Sequence, residues 1–173
     1  MQPMEHLLQR HVLLILDIEQ VFRRNSQAVY RVCYSFLGSA ADAEDATQAT
    51  FMRLIDHPRT FEDEGHERAW LITVASNLCR DVLKSAARTR TVAMPEGVEY
   101  VDERASADQV DETLEAVMRL PEKYKDVVYL HYVEGRKTDE IARMLGSPPS
   151  TVRNRLADAR ALLRKELEGG GGT

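Results

Sequence analysis

Apolar residues along this chain recur at spacings of three and four, and no stretch keeps the polar/apolar alternation that a half-buried strand requires. The β-branched residues sit inside these helical patterns and form no runs of their own. The expectation is therefore an all-α protein: two small helical domains joined by an acidic linker, the second containing a helix-turn-helix. Length permits this, because 173 residues, 43% of them hydrophobic, can bury one core or two small ones.

Ile18, Val21, Phe22, Val29, Val32, Cys33, Phe36 and Leu37 form one stripe of a first helix, which Gly38 can end by taking up a left-handed cap. Asp42, Glu44 and Asp45 load the first turn of a second helix, where carboxylates suit the helix dipole, and it runs to about His57, before Pro58. A third helix covers roughly residues 67–87, with Leu71, Val74, Ala75, Leu78 and Val82 inward. Thr73, Ser76, Asn77, Arg80 and Lys84 then fall on its outward face, with Arg88 and Arg90 beyond. These helices make a first domain over residues 1–90.

Composition changes after it. Between Pro95 and Glu115 there are acids at 96, 99, 102, 103, 108, 111, 112 and 115 against one basic residue, Arg104, so residues 91–110 read as a linker. A second domain over residues 111–168 holds helical segments at about 108–119, stopped by Pro121, at 123–133, stopped near Gly135, at 138–145, capped by Gly146, and at 150–167. Residues 169–173 read as a flexible glycine tail.

Ala142, Gly146 and Val152 carry the spacing that a helix-turn-helix needs. The second helix crosses close over a small side chain, the turn needs a permissive backbone, and an apolar residue locks the second helix inward. Ser150, Thr151, Arg153, Asn154 and Arg155 then stand near the start of that second helix, the end that enters a major groove. Arginine and asparagine suit bidentate reading of guanine and adenine edges. Charge agrees: residues 136–165 hold eight basic side chains and three acidic ones, although the whole chain carries a net −5. A helical hairpin with a solvated basic face is the bland alternative. The Pro148–Pro149 pair in the turn either stiffens it or shifts the start of the recognition helix by a residue.

Other chemistry finds little support. The five histidines lack metal-ligand spacing, no glycine-rich phosphate loop occurs, and no cofactor is expected. Cys33 and Cys79 each lie in an apolar helical pattern and read as reduced, buried thiols, with a disulfide between them the less favoured reading. The apolar run Val12–Leu16 is far below the about 20 residues that span a bilayer, so no membrane span is expected and the protein should stay in the cytoplasm. A transcription regulator with a helical sensing domain is the runner-up. Against it stands the basic, Asn77-bearing third helix, a second nucleic-acid surface that a sensing domain does not need.

Two motif sets then occur in one order. The first comprises Ala28-Val-Tyr-Arg-Val, Asp42-Ala-Glu-Asp-Ala-Thr-Gln-Ala-Thr-Phe and Ala69-Trp-Leu-Ile-Thr-Val-Ala-Ser-Asn-Leu-Cys-Arg-Asp. The second comprises Leu120-Pro, Val128-Tyr-Leu, Glu134-Gly, Glu140-Ile-Ala-Arg-Met-Leu-Gly and Thr151-Val-Arg-Asn-Arg-Leu-Ala-Asp-Ala-Arg. From about Ile18 to Leu167 the chain resembles the extracytoplasmic-function sigma factors, the first set matching their region two and the second their region four. The resemblance implies a non-enzymatic specificity subunit that directs promoter-specific initiation. It implies as partners the RNA polymerase core, met at the largest-subunit coiled coil and the flap, promoter DNA, and an anti-sigma factor. Asp42, Glu44, Asp45, Gln48 and Phe51 become the core-docking candidates, the alternative being that the acids only cap their helix and Phe51 is core. Phe61, Ser76, Asn77, Arg80 and Lys84 become candidates for capturing the melted downstream (−10) element, and the recognition helix reads the upstream (−35) element. Glu62, Asp63, Glu64 and Glu67 make the loop around Phe61 acidic, while Trp70 reads as core. The linker is implied to pass near the polymerase active site, although a plain solvated tether has the same composition.

Overall fold

A computed structural model of the chain describes residues 3–92 and 112–169. The regular elements among them are all helical: α1 (Pro3–Leu37), α2 (Ala40–Asp56), α3 (Glu64–Val92), α4 (Glu112–Arg119), α5 (Glu122–Val128), α6 (Thr138–Leu145) and α7 (Pro149–Gly169). A π-helical turn at Tyr129–Val133 continues α5 directly. The expected linker lies outside the described residues from 93 onward, and residues 91–92 close α3 instead. Residues 170–173 of the expected tail also lie outside them, and Gly169 ends α7.

Local chemistry sets the helix ends. Gly38 takes φ +64° and its amide donates to Tyr34 O at 2.9 Å. Ser39 then caps α2, its hydroxyl accepting from the Asp42 amide, so α2 starts two residues ahead of the first carboxylate. Asp63 does the same for α3: its Oδ1 accepts from the His66 amide at 2.7 Å, which places the start three residues earlier than Glu67. Gly146, at φ +60°, closes α6, with Ser147 N–H donating to Ala142 O and Gly146 N–H to Arg143 O, the paired bonds of a Schellman turn. Proline at the first position of α7 loses no helical hydrogen bond, and Pro148 O accepts from Thr151 and Val152. The recognition helix therefore starts at Pro149, one residue ahead of the expected Ser150, which is the second of the two alternatives for the Pro–Pro pair.

Val21, Val29, Val32, Cys33 and Phe36 of α1 pack against Ala43, Ala46, Phe51 and Leu54 of α2 and Leu71, Ile72, Ala75 and Cys79 of α3. Five expected positions differ, among them Val74 and Leu78, which are half-buried and lie outside the core cluster. Phe22 is 45% exposed and only leans edge-on against Phe51, because Asn25 fills the next inward place of α1. Val82 is 43% exposed, and Ser76, expected outward, is fully buried. Both follow from the rotation of α3, which turns Ile72, Ser76 and Cys79 inward. The Ser76 hydroxyl donates to Ile72 O at 2.9 Å, so its own helix satisfies it.

α4 and α5 lie against α1, and their buried Leu114, Val117, Tyr124, Val127 and Leu130 join the core of the first three helices. Polar anchors accompany this packing. The buried Lys125 ammonium donates to Ser35 O, and the Tyr129 hydroxyl donates to Ala28 O at 3.3 Å.

Candidate nucleic-acid interface

α6 and α7 build the helix-turn-helix from within. Ala142 is 4% exposed at the crossing, Val152 is fully buried, and Ile141, Leu156 and Ala159 complete the inner side. With that side fixed, Ser150, Arg153 and Asn154 are exposed, while Thr151 and Arg155 are half-buried. The start of α7 adds the positive end of its dipole, which favours a phosphate, although Pro149 has no N–H and those of Thr151 and Val152 are taken by Pro148 O.

α3 forms a second polar surface. Asn77 and Lys84 are exposed and Thr73 half-buried on its outer side, with Ser76 absent from it. Arg80 is half-buried, with Nη2 2.5 Å from Asp126 Oδ2, Nε 3.6 Å from Glu122 Oε1 and the guanidinium 5.4 Å above the Phe36 ring. Phe61 is half-buried too, its ring 5.8 Å from Trp70 and 5.7 Å from His66. Arg59 lies over both Trp70 and Phe61, at 5.0 and 5.9 Å. Sequence reasoning missed Arg59; a cation two residues before an aromatic was the available signal, but Trp70 joins it only through the fold.

The acidity of the loop is smaller than the sequence suggests. Glu67 is 6% exposed inside α3, where it accepts from Arg24 Nη2 at 2.9 Å and Asn25 Nδ2 at 2.6 Å. Arg68 extends this network, donating to Asn25 Oδ1 and to Arg24 O. Asp63 is engaged as the helix cap. Glu62 and Glu64 remain exposed.

On α2, Asp42, Glu44, Asp45 and Gln48 are all exposed, as docking candidates must be. Phe51 is not: at 5% exposure it is a core residue, since spacings of three and four from Ala43, Ala46 and Thr47 bring it inward. Met52 (51% exposed) and Ile55 (41%) stand outward instead, continuing the stripe of Glu44, Asp45 and Gln48. That stripe was legible from spacing but was not followed past Gln48.

An open cleft of about 560 Å³ runs between α3 and the second half of the chain, with Thr73, Asn77 and Arg80 facing Lys123, Asp126 and Arg155. Thr73 also borders a neighbouring hollow of about 480 Å³, where Trp70 faces Arg136, Arg143 and Met144. Among the described residues no group of His, Cys, Asp or Glu converges to hold a metal ion, and no helix is long and apolar enough to cross a membrane.

These surfaces coincide with two known families. Residues 21–89 match Sigma-70 region 2, and residues 111–163 match Sigma-70, region 4. The chain is 32% identical to ECF RNA polymerase sigma factor SigL of Mycobacterium tuberculosis, over 86% of this chain and 87% of that protein. It is 28% identical to SigW of Bacillus subtilis over 87% of each, and 32% identical to SigE of Mycolicibacterium smegmatis, of whose length it spans 61%. The fold is similar to that of the sigma factor RpoE of Bartonella quintana, solved with the anti-sigma factor NepR, at a TM-score of 0.68 and 21% identity, covering 88% of this chain and 97% of that one.

Proposed function

The chain belongs to the extracytoplasmic-function RNA polymerase sigma factors, with sigma-70 regions 2 and 4 in one polypeptide, and from that membership we propose how its surfaces divide the work. Proteins of this family direct promoter-specific initiation and leave catalysis to the polymerase. Here α7 reads the duplex −35 element through Arg153, Asn154 and Arg155, with Ser150 and Thr151 at the phosphates. α3 and the loop before it hold the melted −10 element through Asn77, Arg80 and Lys84, with Phe61 as the stacking ring. Unstacking a base costs a few kcal/mol, which contacts in a pocket offset. The outer face of α2 docks on the largest-subunit coiled coil, Asp42, Glu44, Asp45 and Gln48 supplying charge and Met52 and Ile55 the apolar contact. The second domain meets the flap, an anti-sigma factor is the inhibitory partner, and the protein works in the cytoplasm.

The observation that carries this reading is the outward display of Arg153 and Asn154 from a helix whose opposite side, Val152, Leu156 and Ala159, is buried against α6 and α5. A solvated hairpin could also expose an arginine and an asparagine; the excess of basic over acidic side chains across residues 136–165 and the match to Sigma-70, region 4 favour the DNA reading. Runoff transcription with purified polymerase core on a library of promoter fragments, with and without the protein at fixed salt, tests it. Protein-dependent initiation from a defined subset is expected. Tight duplex binding by the protein alone without any initiation would point to a conventional regulator.

A further inference from the structure

Among the described residues eight large apolar side chains are exposed, and five of them fall along one side of α1 and α2: Met4 (75%), Leu8 (64%), Phe22, Met52 and Ile55. Met4 and Phe22 stand about five turns and 27 Å apart on one face of α1, with Leu8 within about 40° of that line. At Phe22 the face reaches α2, where its ring lies 4.8 Å from Phe51, with Met52 beside it and Ile55 one turn on. Ile18 of α1 shares a hollow of about 260 Å³ with Leu54 and Pro58, at the far end of α2. Ahead of Ile18, Met4, Glu5, Leu8 and Asp17 are all exposed. This leading arm of α1 also precedes the match to Sigma-70 region 2, which begins at residue 21. Nine of the eighteen residues from 3 to 20 are Met, Leu, Ile or Val, an apolar content that a solvated helix does not need.

We propose that the arm of α1 lengthens the polymerase-docking face, so that a helical surface of basic and apolar side chains on the polymerase core is met by α2 and, beyond its end, by Phe22, Leu8 and Met4. This rests on the assignment of the outer face of α2 to the core. Two observations choose the occupant. The apolar line of the arm joins that of α2 at Phe22, so the two faces are continuous. Their charge has one sign as well: Glu5, Asp17 and Glu19 outnumber Arg10 on the arm, as Asp42, Glu44 and Asp45 crowd the start of α2. A basic partner suits both. A second copy of the chain does not, because antiparallel arms set Glu5 against Asp17 and Glu19, and parallel arms set each acid against itself. An anionic bilayer repels the same acids.

The test uses the full chain and purified polymerase core. Met4→Gln with Leu8→Gln removes apolar surface at two exposed positions and keeps good helix formers there, so the bundle is untouched. Titration of the labelled protein with core should show about five- to tenfold weaker binding than wild type, with runoff transcription restored at saturating protein. Glu5→Gln with Asp17→Asn should weaken binding less and flatten its dependence on salt. A photo-crosslinking phenylalanine analogue in place of Leu8 should capture the largest subunit when the complex is irradiated. Asp45→Ala with Gln48→Ala is the reference. If that pair weakens binding while Met4→Gln with Leu8→Gln leaves it unchanged and position 8 captures no polymerase subunit, the arm has no part in docking and the assignment of α2 stands. If neither pair weakens binding, both claims go. Light scattering of the protein alone, and flotation with vesicles of neutral or anionic phospholipid, test the other occupants. A dimer or a vesicle-bound chain that the Met4 and Leu8 changes release, with core affinity unaltered, would give the arm to a second copy or to a bilayer and overturn the proposal.

Discussion

Glu67 meets Arg24 and Asn25 across 43 and 42 residues of sequence, and from a buried place it holds α1 to α3, with Asn25 buried beside it and Arg24 half-buried at the rim. Removing it leaves the buried Asn25 amide short of its partner, while Arg24 keeps water and Glu64. Glu67→Ala should therefore cost about 1–2 kcal/mol in urea unfolding, more than a surface pair and less than a fully buried one. Lys125 makes the opposite kind of demand. Burial is the main cause that lowers its pKa from 10.5 to about 8, against the raising effect of Glu122 and Cys79. Its folded value is thus below its unfolded one, so the unfolded chain binds the extra proton between about pH 8 and 10.5. Stability contributed at this site should rise through that window, by up to about 3 kcal/mol. The difference between wild type and Lys125→Met in chemical melts at several pH values isolates it, and a flat difference would refute it. At the other end of the chain, Arg153→Ala and Arg155→Ala should each weaken duplex −35 binding by about 1–3 kcal/mol in mobility-shift titrations. Arg155 is half-buried at the cleft where Arg153 is exposed, so its loss also touches packing and a thermal melt should accompany its titration.

α2 shows how an element divides its labour. Ala43, Ala46, Thr47, Thr50, Phe51 and Leu54 face the core while the stripe from Glu44 to Ile55 stays free. Asp45→Ala with Gln48→Ala should weaken co-purification with polymerase core and leave the circular dichroism spectrum unchanged. Undiminished co-purification would remove the docking assignment. Helix ends on the page of the sequence were readable wherever the cap chemistry is local: Gly38, Pro121 and Gly146 stand where the helices stop. The rotational phase of α3 was not readable, because a serine that bonds to its own helix can go inward and Val82 at the far end finds no neighbour to cover it. Phe51, too, looked equally suited to a partner and to the core; its spacing from Ala43 and Thr47 already favours the core, and the packing of α2 on Phe22 and α1 decides it. Burial of Glu67 and Lys125 depends on partners more than 40 residues away, which no local pattern encodes.

At the scale of the whole molecule, one core runs through both halves, and Cys33 and Cys79 sit inside it as free thiols with no exposed surface. Their mutual hydrogen bond, and then burial, raises the Cys79 pKa well above the ordinary thiol range. Neither thiol should react with an aromatic disulfide reagent in native buffer, and both should react on addition of denaturant. Rapid labelling of the native chain would show that the core opens far more readily than its packing implies. The π-helical turn at Tyr129–Val133, where the Glu134 amide reaches back five residues to Tyr129 O, bears on tolerance of length rather than of chemistry. A π turn holds one residue more than the α turn in its place. Deleting a single residue there should restore the ordinary ladder over about the same rotation, whereas a deletion within α5, which has no surplus residue, would swing everything downstream, from Glu134 to the end of α7, by about 100° around its axis. In that second case Glu134 would leave Arg68, Arg136 would leave Gly65 and the recognition helix would face elsewhere, so the π turn is where this stretch can absorb a change of count.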